Sequence, residues 1–382
     1  MGKNNRKRLT DEQINKNFST ELKAEAWFIA VTYGRRDKMY CPRCGSTKVR
    51  DIKKRKPMPF MCDDCRKFFS IRTGTVMEKS RLPLTIWAKS IYEQVYHLRG
   101  MPAVVTMNKF GVAKNTAWFL NHRIRKAFEN GILTLQKDRK FTSEVEFDET
   151  FIGGKVANMK PSTRKRFEER GGGQGGAGKQ IVIAAKERKT GKIVTDVIPD
   201  RKSETLQGFV EKVTDENAVV MTDDAKGYVG VKREHQTINH SSGIYAYKET
   251  NVQGIESHWA TIKRGITGNF FAISPKHTKR YMMEFAGRHN IRPLDTDEQI
   301  IELARSMKGV RLTYKELTAD NGLDNFARPV KGSEWDKKRI RKNVVKAEVN
   351  ALRKIGKPNP LPNPPKLTSK QLEELLDDHI PY

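Results

Sequence analysis

The sequence has little of what a secreted, membrane-spanning or disulfide-braced protein needs. No apolar run approaches the roughly 20 residues that cross a bilayer. The first eight residues, Met1-Gly-Lys-Asn-Asn-Arg-Lys-Arg8, have no apolar core behind their charges, which argues against a secretory leader. Only 4 cysteines occur in 382 residues, and they sit in two close pairs. That pattern excludes a disulfide scaffold and fits metal binding in a reducing compartment. A cytoplasmic location is expected. Acidic residues are also short: 45 Asp and Glu stand against 73 Lys and Arg, a formal net charge of +28. Such an excess repels itself in a compact chain unless a polyanion neutralises it. Nucleic acid is the usual polyanion, so nucleic-acid binding and association with the nucleoid are expected.

What is present allows two or three domains, because the length exceeds that of one ordinary domain and a hydrophobic content of 37% suffices for real cores. Residues 1–20 are polar and basic and read as loose, within a basic N-terminal segment 1–35 that holds a short helix over 21–34. Leu84, Trp87, Ile91, Val95 and Leu98 recur at helical spacing, and Gly100-Met-Pro102 ends that run. Another helix is predicted over 114–129. From Glu144 the period changes to strands, with Val145 and Phe147 alternating with Glu146 and Asp148. Residues 155–179, basic and then glycine-rich, read as a mobile loop. Strands over 180–186 and 192–198 flank the turn Lys189-Thr-Gly-Lys192, a hairpin. A helix at 203–213 precedes the buried-strand run Ala218-Val-Val-Met221. Helices follow over 252–264 and 275–289. Residues 296–382 form an extension of unknown role, with a proline-rich linker at 358–365 and a short acidic amphipathic segment at 368–378.

Cys41-Pro-Arg-Cys44 and Cys62-Asp-Asp-Cys65 form two CxxC knuckles, each able to place two thiolates on one ion. Gly45-Ser46 lets backbone amides turn back toward the sulfurs, and Lys67-Phe-Phe-Ser70 supplies an aromatic strand to pack beneath. The expectation is a zinc ribbon over 36–78 with a closed, structural Zn2+ site that braces a module too short to fold on its own core. Residues 79–135 read as a helix-turn-helix segment. Its last helix carries Lys114, Asn115, Thr116, Trp118, Asn121, Arg123 and Arg125, a set suited to phosphates and base edges.

Three acids stand out by context. Asp148 lies on a predicted strand, Asp223 at the carboxyl end of another, and Glu256 on a helix that continues to Lys263, about two turns on and on the same face. Hard carboxylate oxygens suit Mg2+ or Mn2+, and two such ions can activate an attacking oxygen and stabilise a leaving one in phosphodiester chemistry. A lysine two turns from the last acid is placed to bind a backbone phosphate.

The segments Glu146-Phe-Asp-Glu-Thr-Phe-Ile-Gly-Gly-Lys155, Thr222-Asp-Asp-Ala-Lys-Gly-Tyr228 and Glu256-Ser-His-Trp-Ala-Thr-Ile-Lys-Arg-Gly-Ile266 resemble those of ISXO-like insertion-sequence transposases, the zinc-ribbon DDE group. Ser274-Pro-Lys-His277, Arg280-Tyr-Met-Met-Glu-Phe285 and the ribbon itself resemble them too, so the resemblance covers roughly 20–292. It implies a multidomain α+β chain: zinc ribbon, helix-turn-helix, then a ribonuclease-H-like α/β catalytic domain over 140–295. It also implies that Asp148, Asp223 and Glu256 hold two Mg2+ or Mn2+ ions, with Lys263 beside them. Glu284 is a second candidate for the third acid, though its apolar helix suggests packing. Asn251 lies just upstream of Glu256, and His240 is placed near the site or in a structural role. The implied reaction is cleavage at transposon ends and strand transfer into target DNA. The partners are double-stranded terminal inverted repeats and target DNA, with a homodimer or higher oligomer joining two ends and no membrane. The alternatives are a ribonuclease-H-like nuclease or resolvase that cuts without joining, and a non-catalytic, domesticated DNA-binding regulator.

Overall fold

Capping residues cut the N-terminal third into short helices. The computed structural model describes residues 7–52, 55–153, 161, 164–165, 179–223, 226–238 and 253–319, all within a unit that spans Met1–Asn325. The expected mobile loop 155–179 lies almost wholly outside them, as do His240, Asn251 and everything after 319. α1 (Asp11–Asn17) forms where looseness was expected. Thr10 caps it, its hydroxyl accepting from the Gln13 amide at 3.2 Å while Gln13 reaches back to the Thr10 amide at 2.9 Å. Ile14 and Phe18 are buried, so tertiary packing rather than composition fixes this segment. α2 (Glu21–Tyr33) follows, capped by Thr20.

Three short strands, β1 (Val49–Asp51), β2 (Phe60–Cys62) and β3 (Phe68–Phe69), make an antiparallel sheet. Phe60 and Phe69 bury themselves beneath it. α3 (Leu84–Tyr96), α4 (Ala103–Phe110) and α5 (Lys114–Asp138) come next. Gly111 ends α4 in the left-handed conformation (φ 61°), the backbone state in which glycine avoids a Cβ penalty. α5 runs nine residues past the expected end at 129. Gly131, which reads as a breaker, instead lets the chain at Ser306 approach: a Cβ there would lie 3.0 Å from the Ser306 hydroxyl. Asn130 seals the contact by donating to the Ser306 and Lys308 carbonyls at 2.8 and 3.2 Å.

A second, five-stranded sheet contains β4 (Glu144–Ile152), β5 (Gln180–Glu187), β6 (Ile193–Ile198), β7 (Val219–Asp223) and β8 (Glu234–Ile238) in the order β6-β5-β4-β7-β8. β4, β5 and β6 pair antiparallel, and β7 lies parallel to both β4 and β8. β8 had no sequence signal: it is a polar edge strand, Glu-His-Gln-Thr-Ile. α6 (Ser203–Val213) covers one face through Phe209, whose ring meets Phe147 at 6.2 Å. α7 (Gln253–Gly265) and α8 (Pro275–Ile291) cover the other face. α9 (Thr296–Arg305) and α10 (Tyr314–Thr318) complete the described chain.

Two apolar clusters result. One joins α1 to α3, the small sheet and the start of α5, and takes in Ile300, Leu303 and Met307, so the C-terminal extension begins by packing back on the N-terminal part. The other fills both faces of the large sheet. α5 contributes to each, and Arg125 on it forms an ion pair with Glu284 of α8 at 2.6 Å, both fully buried. Glu284 also pairs with Arg288, so it does the packing work expected of it. Among the described residues no helix is long and apolar enough to cross a membrane.

The expected DNA-reading face of α5 needs correction. Asn121, Arg123 and Arg125 are all buried. Asn121 donates to the Met101 carbonyl and accepts from the Thr106 hydroxyl. Arg123 donates to the Glu78 and Leu312 carbonyls. These polar side chains staple α5 to its neighbours, and among the described side chains of α5 only Lys114 and Asn115, in its first turn, are exposed. Polar composition alone could not tell a solvated face from a satisfied, buried one.

Candidate active site and metal centre

The four cysteines converge as expected. Their sulfurs all lie within 4.8 Å of one another, with Cys41–Cys65 at 3.7 Å and Cys44–Cys62 at 3.6 Å. A tetrahedron with Zn–S bonds of about 2.3 Å has edges of about 3.8 Å, so the quartet is compatible with one zinc ion. The turn is built by backbone: the Cys41 amide donates to the Ser46 carbonyl, and the Arg43 amide points at the Cys41 sulfur at 3.4 Å. Amides of Cys65 and Asp64 help draw the Cys62 thiol down to about 7, whereas desolvation and the neighbouring sulfurs push Cys44 up to about 12 and raise Cys65, so the quartet holds protons that a metal would displace. Among the described residues no other group of three or more ligating side chains closes in this way.

The two aspartates come together through strand register. β4 and β7 pair in parallel with Glu144 opposite Val219 and Glu146 opposite Met221, an offset of 75 (219 − 144). Asp148 and Asp223 have the same separation (223 − 148) and stand two residues beyond the last pair, Glu146 and Met221, on the face that Glu146 and Met221 share, where the Asp223 charge acts on Asp148. Asp223 is the last residue of β7, at the carboxyl end where open α/β sheets gather ligands. Burial is the main cause that raises Asp148 to about 6, and the charges of Glu149 and Asp223 add to it. Against this, the Trp259 indole donates to Asp148 Oδ2 at 2.8 Å and the Glu149 amide to Oδ1 at 2.8 Å.

Glu256 and Lys263 sit on α7. Trp259 follows Glu256 by three residues, on the neighbouring part of the same helix face, and its bond to Asp148 ties that helix to β4. At the start of α7 the Ile255 amide donates to Glu146 at 3.2 Å. Glu256 and Lys263 are both exposed. Asp148, Asp223 and Glu256 do not draw together into a three-ligand group of the kind the cysteines make.

Sequence reasoning missed the supports. Trp259 is one; a tryptophan a turn after Glu256 was the available signal. Glu149 is another. It points to the opposite face, where the Tyr228 hydroxyl donates to it and Arg201 pairs with it at 3.0 Å. Burial raises Glu149, with Asp223 adding, while those partners oppose the shift. The network fixes the strand next to Asp148 from behind, and no local pattern in the sequence announces it.

Similarity to known proteins falls on this region. A protein of Halobacterium salinarum, described as an uncharacterized protein in transposable element ISH50, is 24% identical over 290 residues, covering 72% of this chain and 93% of that protein. Residues 140–290, which hold the large sheet, both aspartates and α7, match the model of the ISXO2-like transposase domain.

Proposed function

We propose that the chain is a DNA transposase that cleaves at transposon ends and joins them to target DNA by metal-dependent phosphoryl transfer. The observation that carries this reading is the parallel β4–β7 register, which carried two residues beyond its last pair brings Asp148 level with Asp223, within the segment that matches the transposase domain. The strand order, three antiparallel strands followed by two parallel ones, supports a ribonuclease-H-like core.

Asp148, Asp223 and Glu256 are the residues to hold Mg2+ or Mn2+. The fit rests on charge: a buried aspartate raised by its surroundings, next to a second carboxylate, is a site that a divalent cation would relieve. Such ions supply Lewis-acid stabilisation of phosphoryl oxygens and activation of the attacking oxygen. The chain's own residues do the positioning. Trp259 orients Asp148 and links it to the helix of Glu256. Lys263, on the exposed face with Glu256, binds a backbone phosphate of the end being processed. The zinc ribbon (36–78) and the three-helix segment (79–135) recognise terminal inverted repeats. The exposed first turn of α5 is the part placed to meet DNA. Two ends joined in one reaction call for a dimer or higher oligomer on DNA.

The test is a joining assay with pre-cut ends, with Mg2+ or Mn2+. The native chain should form strand-transfer products, while Asp148→Ala and Asp223→Ala should form none. Glu256→Gln should lose activity with folding intact, whereas Glu284→Gln should lose stability. Cutting without joining would favour a nuclease or resolvase. Cellular function that survives both aspartate substitutions would favour a non-catalytic regulator.

A further inference from the structure

A cavity of about 760 Å3 opens on the other side of α7 from the carboxylates. At 100° per residue, Glu256 and Lys263 point one way and Gly254, His258 and Thr261 point roughly opposite. The second set lines the cavity. The remaining walls come from the end of α3 with the turn after it, Lys186 of β5, Asn269, the carboxyl end of α8, the start of α9, and Arg8. Arg8 is held there by its neighbour: the Lys7 amide donates to Asp295 at 3.0 Å, and the Thr296 amide to the Lys7 carbonyl at 3.1 Å. The cavity thus lies where the N-terminal cluster meets the sheet domain.

Its lining is cationic. Arg8, Arg99, Lys186, Arg288 and Arg292 contribute, and among the described residues no Asp or Glu lines it. Nearby carboxylates are engaged elsewhere. Glu146 pairs with Arg188, Glu284 with Arg125 and Arg288, and Glu93 with Lys109 and His97. Arg99 and Lys186 make no ion pair within 4.0 Å among the described residues; the carboxylate near Lys186 is Glu146, whose Oε2 lies 2.8 Å from the point beside Gly254 that Lys186 Nζ approaches to 2.2 Å. Two lining side chains that are more than nine-tenths buried carry nitrogens with no hydrogen-bond partner, Nε2 of His258 and Nε of Arg288. Both nitrogens are sealed from solvent, and the rest of the Arg288 guanidinium is taken up by the His97 carbonyl, Gln94 and Glu284, so these two side chains back the wall and leave Arg99 and Lys186 as the cations that face the cavity. On the rim, Tyr96 and Leu98 are 56% and 72% exposed, beside the basic groups. Cationic walls with an aromatic edge are how proteins hold a nucleic-acid strand. The volume exceeds the needs of a lone phosphate and falls in the range for a nucleotide-sized group.

We infer that this cavity is a second DNA site, holding a phosphodiester of a strand that crosses the seam, with Arg99 and Lys186 on the phosphate and Tyr96 and Leu98 against the adjoining sugar or base. The inference rests on the reading that the chain acts on DNA. The test uses the full chain with its zinc, without added magnesium or manganese, so that loss of catalysis has no bearing on it. Binding of a 30-base-pair duplex and of a single-stranded 30-mer is followed by anisotropy across a KCl series. Arg99→Ala/Lys186→Ala, which breaks no ion pair, is compared with Lys189→Ala/Lys232→Ala, exposed lysines that do not line the cavity. The cavity variant should weaken binding about tenfold near 0.15 M salt and flatten the log Kd–log salt slope by about 1 to 2, the value of one or two phosphate contacts. The idea fails if the cavity variant matches the native chain, or if the control pair falls as far, since charge alone would then explain the loss. It also fails if orthophosphate or a mononucleotide binds at micromolar concentration and is lost in the cavity variant while DNA binding is unchanged, which would make the site one for a free anion. A native chain that binds no DNA overturns the proposed function as well.

Discussion

Replacing Asp148 by Asn should stabilise the fold while it abolishes the proposed chemistry. The side chain is partly buried on β4, and its pKa rises from 3.8 to about 6, chiefly through burial. An acid raised in the folded state binds a proton there that the unfolded chain has already lost. Stability therefore falls as pH climbs from about 4 to 6, and the penalty is fully present above 6. A shift of about two units corresponds to roughly 3 kcal/mol at 1.36 kcal/mol per unit. Asn, like the protonated acid, keeps one acceptor for either the Trp259 indole or the Glu149 amide, and the advantage those two bonds give the carboxylate is already within the shift. The gain is therefore about 2–3 kcal/mol, or roughly 4–8 °C in Tm. Thermal unfolding at pH 7.5 and pH 4, with zinc retained and no Mg2+ or Mn2+, checks it. The gain should appear at pH 7.5 and vanish at pH 4. An Asp148→Asn chain that is less stable than its parent by the same amount at both pH values would refute the reasoning. It would mean that the hydrogen bonds, not the buried charge, set the balance. Adding Mg2+ should then raise the Tm of the parent and leave the variant unmoved.

The buried ion pairs give a second test. Glu284→Gln leaves Arg125 and Arg288 without their carboxylate and should cost about 3–5 kcal/mol. Arg125→Met should cost less, because Arg288 still neutralises Glu284; urea midpoints for the two variants decide the order. Gly287→Ala places a Cβ 2.5 Å from the Phe128 ring, across the α5–α8 contact. It should lower stability by about 1–3 kcal/mol through overpacking, and an unchanged midpoint would show that the ring can move aside. Cys62→Ser should bring bound zinc, measured by elemental analysis, from one ion per chain to none. It should also loosen the small sheet, because metal binding and folding are one free energy in such modules.

Much of the architecture was written in local pattern. Period-3.6 apolar spacing gave α3, α7 and α8 to within a few residues, and Lys189-Thr-Gly-Lys192 marked the hairpin between β5 and β6. Where sequence reading failed, the cause lay outside the local window. α1 is held by Ile14 and Phe18 entering a distant core. α5 passes Gly131 because another part of the chain needs the space. Asn121, Arg123 and Arg125 resembled a solvated face because their partners are remote in sequence.

The chemistry divides in the same way. Two CxxC knuckles determine a four-sulfur site by themselves, since each pair is set by a turn of four residues and only the meeting of the two is left to the fold. The acids are different. That Asp148 and Asp223 stand at one level of the sheet depends on the β4–β7 register, which spans 75 residues and is fixed by which apolar side chains reach the core. The Trp259 bond to Asp148, the Glu149–Tyr228–Arg201 support and the cationic cavity behind α7 belong wholly to tertiary structure. Each joins groups that only the packing of the sheet, its helices and the N-terminal core brings within reach.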